Sequence, residues 1–278
     1  MKFSKMHGAG NDYIYVNGFE ERIDNPEELA IKLSHRNFGI GSDGLIIILP
    51  SAVADFRMRM FNNDGSEGKM CGNGTRCVGK YVYDNKLTDK TSITLETLGG
   101  IKKLDFTIVD GKVDSVLVDM GQAILDPKLI PVKSDLPQFV NQSVEVHKHM
   151  CKMTCVSMGN PHAVLFVNEI DGLDLAKIGP DFENHPIFPE RTNTEFIKLI
   201  DRQNIKMRVW ERGSGETLAC GTGACASVVA AVLNGYCDYD TPVNVHLLGG
   251  VLQITYKRDG SVLMYGKATH VFDGEIEI

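Results

Sequence analysis

The architecture of this chain follows from two short stretches, Cys71-Gly72-Asn73-Gly74-Thr75 and Cys220-Gly221-Thr222-Gly223-Ala224. Each places a cysteine before a Gly-X-Gly segment, and the two cysteines are 149 residues apart. A single Cys-Gly pair that recurred by chance would mean little. Two copies of a longer pattern indicate an internal duplication, which is the first feature to test in any sequence.

The same spacing recurs well beyond the two cysteine segments. It relates Gly10-Asn11 to Gly159-Asn160, Arg59 to Arg208, Phe61 to Trp210 and Glu67 to Glu216, and a step of 150 relates Leu98-Gly99-Gly100 to Leu248-Gly249-Gly250. Because these matches occur in the same order along both halves of the chain, they predict two similar domains. We expect an N-terminal domain over residues 1–120, a C-terminal domain over 121–264, and a C-terminal strand over 265–278 that returns to the first domain.

The composition is that of an ordinary globular protein. The chain has 278 residues, 43% of them hydrophobic, and 29 basic against 36 acidic residues give a net charge of −7. This acidic excess argues against a nucleic-acid or anionic-membrane partner, since either would select a basic face. Seven cysteines and no apolar leader at the N-terminus predict free thiols in the cytoplasm.

Alternating β-rich stretches outnumber the helical patterns. Strands are predicted at 93–96, 105–109, 115–119, 244–247, 252–256 and 262–265. Helices are predicted at 26–33, opened by Asn25 and Pro26, and at 75–85 and 224–234, directly after the cysteine segments. Because the last helix is apolar on all sides, we expect a curved sheet to surround it. The predicted class is α+β, with two pseudo-symmetric domains, each a β-barrel-like sheet around a central helix.

A helix start suits a reactive thiol. Its unpaired N–H groups and partial positive charge stabilise an anion, so we expect a lowered pKa for Cys71 and Cys220. The same N–H groups can hold a carboxylate, and the glycines let the backbone approach it. A pseudo-twofold axis would direct both thiols into one cleft, where one removes a proton beside the carboxylate and the other returns one to the opposite face.

The sequence resembles the diaminopimelate epimerases, which work without pyridoxal phosphate. The resemblance spans the chain and is carried by residues 7–12 (HGAGND), 62–66 (NNDGS), 70–74 (MCGNG), 158–162 (MGNPH), 191–193 (RTN), 211–213 (ERG) and 219–223 (ACGTG). It implies interconversion of LL- and meso-2,6-diaminopimelate, in lysine and peptidoglycan biosynthesis, with no cofactor and no metal. It also implies a small-molecule substrate, no nucleic-acid or membrane partner, and a homodimer whose interface the sequence does not reveal.

The resemblance also assigns roles to individual residues. It makes Cys71 and Cys220 the acid/base thiols, with His162 and Glu211 tuning them. The implied substrate contacts are Asn11, Asn62, Gly72, Asn73, Asn160, Asn193, Glu211, Arg212, Gly221 and Thr222. Asparagine offers both a donor and an acceptor, Arg212 can bind a carboxylate bidentately, and Glu211 can pair with an ammonium group. Some family members carry Gln at the position of Gly44. Because glycine has no side chain to make such a contact, Gly44 is excluded as a substrate contact.

Several alternatives stay open at this stage. A proline or hydroxyproline racemase is the nearest other enzyme, although Asn73, Asn193 and Glu211-Arg212 favour a longer substrate with charges at both ends. Outside enzymes, the cysteine pair could serve as a redox switch or in a thiol-based binding module, neither of which needs the surrounding asparagines. The run from His147 to Cys155 contains two histidines and two cysteines but is more typical of a strand than of a metal site.

Overall fold

The computed structural model describes residues 1–277. The first half of the chain contains α1 (Pro26–Ser34), α2 (Gly72–Asp84), β1 (Lys2–Gly8), β2 (Asn11–Asn17), β3 (Gly44–Leu49), β4 (Phe56–Asn62), β5 (Glu67–Gly68), β6 (Ser92–Thr97), β7 (Gly100–Val109) and β8 (Lys112–Gln122). The second half contains α3 (Leu175–Glu183), α4 (Gly221–Leu233), β9 (Gln142–Val146), β10 (His149–Ser157), β11 (Pro161–Phe166), β12 (Asn193–Asp201), β13 (Asn204–Glu211), β14 (Gly215–Glu216), β15 (Val243–Leu247), β16 (Gly250–Tyr256), β17 (Ser261–Lys267) and β18 (Thr269–Glu275).

Two compact units divide these elements. The first comprises Met1–Asp119 with the described residues from Tyr265 onward, and the second comprises Met120–Met264. The chain therefore leaves the first unit within β8 and returns to it within β17. The last strand, β18, pairs antiparallel with β1 from Lys2–Glu275 to His7–Thr269.

The two units have the same order of strand pairing. In the first, β1–β2 is antiparallel, β2–β3 parallel, β3–β4 antiparallel, β4–β6 parallel and β6–β7 antiparallel. In the second, β10–β11, β11–β12, β12–β13, β13–β15 and β15–β16 repeat that order. Even the two parallel pairings fall at matching places, which confirms the predicted duplication and the α+β class.

Arg59 and Arg208 show why the repeat survives at particular residues. Arg59 on β4 donates from Nε and Nη2 to Glu67 on β5, at 2.8 and 3.0 Å. Arg208 on β13 makes the same two bonds to Glu216 on β14, at 2.7 and 3.0 Å. A bidentate pair fixes both distance and orientation, so in each unit it ties a two-residue strand to its long neighbour ahead of the cysteine helix.

The helices after the cysteines occupy the interior of their units. α4 is buried along nearly all of its length and packs against β10, β11, β12, β13, β15 and β16, as its apolar sequence predicts. α2 packs against β1, β2 and β7. Both helices begin three residues earlier than predicted, so Gly72-Asn73-Gly74 and Gly221-Thr222-Gly223 are their first turns, with Cys71 and Cys220 as N-caps.

Two smaller differences concern the outer helices. α1 begins at Pro26 as predicted, but the Asn25 side chain makes no capping hydrogen bond. α3 was not predicted, because Gly179 and Pro180 interrupt its pattern. Its apolar residues Leu175 and Phe182 join a buried cluster that includes Leu165 and Phe196, and this packing offsets the poor intrinsic helix propensity.

Gly44 is buried at the start of β3, where the backbone of β4 leaves no room for a side chain. A Cβ at this position would collide with the Phe61 carbonyl group. Gly44→Ala should therefore destabilise the protein by about 2 kcal/mol or more, because backbone cannot move aside as a side chain can. Urea unfolding measures this, with Gly172→Ala as the control, since a Cβ on Gly172 meets nothing within 4 Å. An unchanged midpoint for Gly44→Ala would contradict this account.

Candidate active site

Cys71 caps α2 with its sulfur. The Gly74 N–H donates to Cys71 Sγ at 3.4 Å, and the Cys71 backbone is extended, with φ −130° and ψ 115°. Cys71 Sγ in turn donates a hydrogen bond to Asn11 Oδ1, on β2, at 3.3 Å. The first unit therefore presents a half-buried thiol between an amide donor and an amide acceptor.

Asn73 and Asn11 adjoin this thiol, and each is held by a charged group. Asn73 is buried, and Arg76 Nη2 donates to its Oδ1 at 2.8 Å. Asn73 Nδ2 faces Asn11 Oδ1 at 3.4 Å, while Asn11 Nδ2 donates to Asp43 Oδ2 at 2.8 Å. The structure thus brings together three predicted site residues of the first half, Asn11, Cys71 and Asn73.

Asn62 and Gly72 complete the predicted positions in this unit. Asn62 ends β4 and donates from Nδ2 to Ser66 Oγ at 3.0 Å, within the turn that leads to β5. Gly72 is the first residue of α2, and its carbonyl accepts from Arg76 Nη1 at 3.2 Å.

Cys220 caps α4 in the same manner. The Gly223 N–H lies 3.4 Å from Cys220 Sγ, and the Thr222 hydroxyl lies 3.5 Å from it. Cys220 is more buried than Cys71, with 5% of its surface exposed. Gly221 and Thr222 form the first turn of α4, as Gly72 and Asn73 do in α2.

The environment of Cys220 raises its pKa instead of lowering it. Burial is the largest cause, followed by the negative charges of Glu211 and Glu195, and the bonds from Thr222 and Gly223 only partly oppose them. Burial also raises the pKa of Glu211, against hydrogen bonds from Thr217 and Cys220. The sequence-based expectation of a lowered pKa was wrong for Cys220, since desolvation and two carboxylates outweigh the helix start.

His162 and Asn160 extend the site along β11. His162 is fully buried, with Nδ1 2.7 Å from Glu195 Oε1 and Nε2 3.0 Å from Asn160 Oδ1. Glu195 is fully buried as well, and its Oε2 has no hydrogen-bond partner among the described residues. A Cβ on Gly223 would lie 2.6 Å from Glu195 Oε1 and 3.2 Å from Cys220 Sγ, so the carboxylate and the thiol both adjoin this glycine.

Glu195 is a residue that the sequence analysis missed. Its counterpart 149 residues earlier is Ile46, which occupies the same register position on β3 and lies against Gly74. The counterpart of His162 is Tyr13. The available signal was a charged residue at a position where the other repeat has an apolar one, and comparison of the two repeats would have found it.

Asn193 and Arg212 lie together, because Asn193 begins β12 and Arg212 directly follows the end of the antiparallel strand β13. Asn193 Nδ2 donates to the Pro161 carbonyl at 2.8 Å, and its Oδ1 accepts from the Arg212 backbone N–H at 2.9 Å. The Arg212 side chain donates to the Glu190 carbonyl at 2.9 Å. Asn193 therefore braces the turn that carries Glu211 and Arg212.

The run of histidines and cysteines from His147 onward lies mainly on β10, as its alternating pattern indicated. Cys155 points into the core and is 1% exposed, whereas His149 is exposed. Within residues 1–277, no three His, Cys, Asp or Glu side chains are grouped as a metal ion would require. None of the described helices is long and apolar enough to cross a membrane.

Comparison with known proteins gives one family. The sequence profile of the family described as diaminopimelate epimerase matches residues 3–125 and 154–271. Diaminopimelate epimerases from Acetivibrio thermocellus and Methanococcus maripaludis strain S2 are 58% and 56% identical over 279 residues. The alignments cover the whole of this chain and 99% and 100% of those relatives.

Solved structures show how widely the fold is shared. A phenazine biosynthesis protein of the PhzF family from Bacillus anthracis has a TM-score of 0.70 at 17% identity, covering 100% of this chain and 99% of that one. A probable proline racemase from Agrobacterium radiobacter has a TM-score of 0.72 at 14% identity, covering 100% and 93%. At such identities the likeness concerns the fold alone.

The charge of Glu211 should be measurable through the reactivity of Cys220. Glu211→Gln removes the largest cause after burial, so the pKa of Cys220 should fall and its alkylation by iodoacetamide at pH 8 should quicken roughly tenfold. Mass spectrometry of the labelled peptides gives the rate, with Cys71 as an internal reference. Glu169→Gln, at an exposed residue of the same unit that pairs with Lys198, is the control. Equal rates in both variants would count against a role for Glu211.

Proposed function

The chain belongs to the diaminopimelate epimerase family, and we propose that it interconverts LL- and meso-2,6-diaminopimelate by a two-thiol mechanism, within lysine and peptidoglycan biosynthesis. The observation that carries the proposal is the duplicated helix start with a sulfur cap. An inversion by two-base proton transfer needs a base on one face of the carbon and an acid on the opposite face, and a duplicated thiol can supply both.

In this mechanism one cysteine, as thiolate, removes the proton from the substrate α-carbon. The other cysteine, as thiol, donates its proton to the opposite face of the same carbon. The first ends as a thiol and the second as a thiolate, so the reverse reaction uses Cys71 and Cys220 with their roles exchanged. No redox change occurs, and the only bonds made and broken are S–H and C–H.

The charge that develops on the α-carboxylate needs donors at the moment of proton removal. The first turns of α2 and α4 supply unpaired backbone N–H groups and the positive end of a helix dipole. Gly72-Asn73 and Gly221-Thr222 occupy those turns, which supports them as the carboxylate-binding residues. Donors that are already in place cost no reorganisation as charge develops.

The tuning residues act through charge. Glu211 and Glu195 favour the protonated form of Cys220, which is the form that an acid must have before it donates. His162 bridges Glu195 and Asn160, so it links the buried carboxylate to an asparagine proposed to contact substrate. Asn11, Asn62, Asn160 and Asn193 provide donors and acceptors for the amino and carboxylate groups of the substrate.

Isotope exchange tests the two-thiol proposal. In D₂O, the protein with LL-diaminopimelate and no added cofactor should incorporate deuterium at the α-carbon that inverts, as seen by NMR or mass spectrometry. Cys71→Ala and Cys220→Ala should each lower the rate by about 10³-fold or more, since each removes an acid or base. Cys225→Ala, in buried α4, is the matched control and should retain exchange. Full exchange in the Cys71→Ala variant or in the Cys220→Ala variant would refute the mechanism.

The distal end of the substrate is assigned to the Arg212 turn. Arg212→Ala removes a bidentate carboxylate donor, and Asn193→Ala removes the brace of the turn, so both should raise KM for diaminopimelate at least tenfold. Steady-state kinetics in both directions measure this. Arg202→Ala serves as control because Arg202 is exposed and paired with Asp238. Near-normal KM values in both variants would remove Arg212 and Asn193 from the substrate site.

A further inference from the structure

Asp43 lies between α1 and β3 and was not assigned a role by the sequence. Its backbone N–H donates to the Asp12 carbonyl at 2.8 Å, and its carboxylate accepts from three donors. Asp43 Oδ1 accepts from Arg36 Nη2 at 2.9 Å, and Oδ2 accepts from Asn11 Nδ2 at 2.8 Å and from the Asp12 backbone N–H at 3.1 Å. Because an ionised carboxylate can only accept, the Asn11 amide must turn its nitrogen towards Asp43.

This constraint determines what Asn11 presents to the thiol. With Nδ2 committed to Asp43, Oδ1 is the atom that faces Cys71 Sγ at 3.3 Å. Arg76 acts in the same direction from the other end, since it holds Asn73 by Oδ1 and leaves Asn73 Nδ2 facing Asn11 Oδ1. The two amides are therefore aligned between a guanidinium and a carboxylate.

An acceptor beside a thiol favours the protonated form, because an S–H can donate to it and a thiolate cannot. We propose that Asp43 is a positioning residue that, through the Asn11 amide, holds Cys71 as a thiol until substrate binds. The catalytic purpose rests on the function proposed above, whereas the orientation of the amide does not.

Several charged or titratable groups face this arrangement. Burial raises the pKa of Tyr15 on β2 and of Cys77 on α2, and both are close enough to the thiol that a negative charge on Cys71 raises the pKa of each further. Arg36 bridges Asp12 and Asp43, and Lys5 on β1 pairs with Asp12 at 2.5 Å. Burial raises the pKa of Asp43, as does the charge of Asp12, against its hydrogen bonds from Asp12 and Asn11 and the charge of Arg36. On the other side of the thiol, Arg76 is the charged group that reaches Asn73 and Gly72.

The test measures the alkylation rate of Cys71 as a function of pH. Asp43→Asn leaves one acceptor oxygen where Arg36 and Asn11 each need one, so the Asn11 amide is freed to turn its N–H groups to sulfur. Cys71 should then react with iodoacetamide about tenfold faster at pH 7. The pH at which its alkylation rate is half-maximal should fall. Cys220, in the other unit, should not change and serves as an internal reference.

A double-mutant cycle separates action through Asn11 from action of the Asp43 charge at a distance. Asn11→Leu removes the acceptor and should accelerate Cys71 on its own. In that background, Asp43→Asn should have no further effect. An equal acceleration by Asp43→Asn with and without Asn11 would overturn the proposal, as would no acceleration at all.

Arg36→Gln is the matched control, since it breaks the same network but keeps the bond between Asp43 and Asn11. It should leave the Cys71 rate within about twofold. An acceleration equal to that of Asp43→Asn would show that a loosened loop is the cause and would overturn the proposal. If Asp43→Asn fails to fold, Asp43→Ala with the same readout takes its place. Deuterium exchange by the unchanged chain tests the proposed function separately, because alkylation uses no substrate.

Discussion

A sulfur atom at a helix start is the constraint on which the rest of this structure depends. A capping side chain accepts a hydrogen bond from the second or third residue of the helix, and Cys71 and Cys220 accept theirs from Gly74 and Gly223. This bond places the thiol over the first turn, beside the N–H groups that a carboxylate would use. Strands of each unit pack against the sides of its cysteine helix, and the first turn of that helix carries the capping thiol.

The duplication supplies the same scaffold twice, but the surroundings of the two sulfurs have diverged. Ile46 lies against the first turn of α2, whereas Glu195 lies at the equivalent place on α4. Asn11 is oriented by Asp43, whereas Asn160 meets His162. A symmetrical fold therefore carries two unequal thiols.

Repeats and periodicity predicted the α+β class, the helices after the cysteines and six of the eighteen described strands (β6–β8 and β15–β17), because these depend on local patterns that recur in the chain. α3 was missed because its stability comes from packing against Phe196 rather than from its own sequence. The acidity of Cys220 was misjudged because burial depends on the whole fold. Glu195 was missed because one carboxylate in a strand matches no motif by itself. It stands out only against Ile46 of the other repeat, and its contact with His162 is visible only in the structure.

The closing strand has a consequence for biosynthesis. The Met1 amino group donates to the Ile276 carbonyl at 2.7 Å, and the Ile276 N–H donates to the Met1 carbonyl at 3.0 Å. On the ribosome β1 emerges long before its partner β18. The outer edge of β1 therefore waits for its partner while the whole second unit is made and can complete its ladders. An unpaired strand edge can template wrong pairings, so this interval is the part of synthesis in which misfolding competes most with the native sheet.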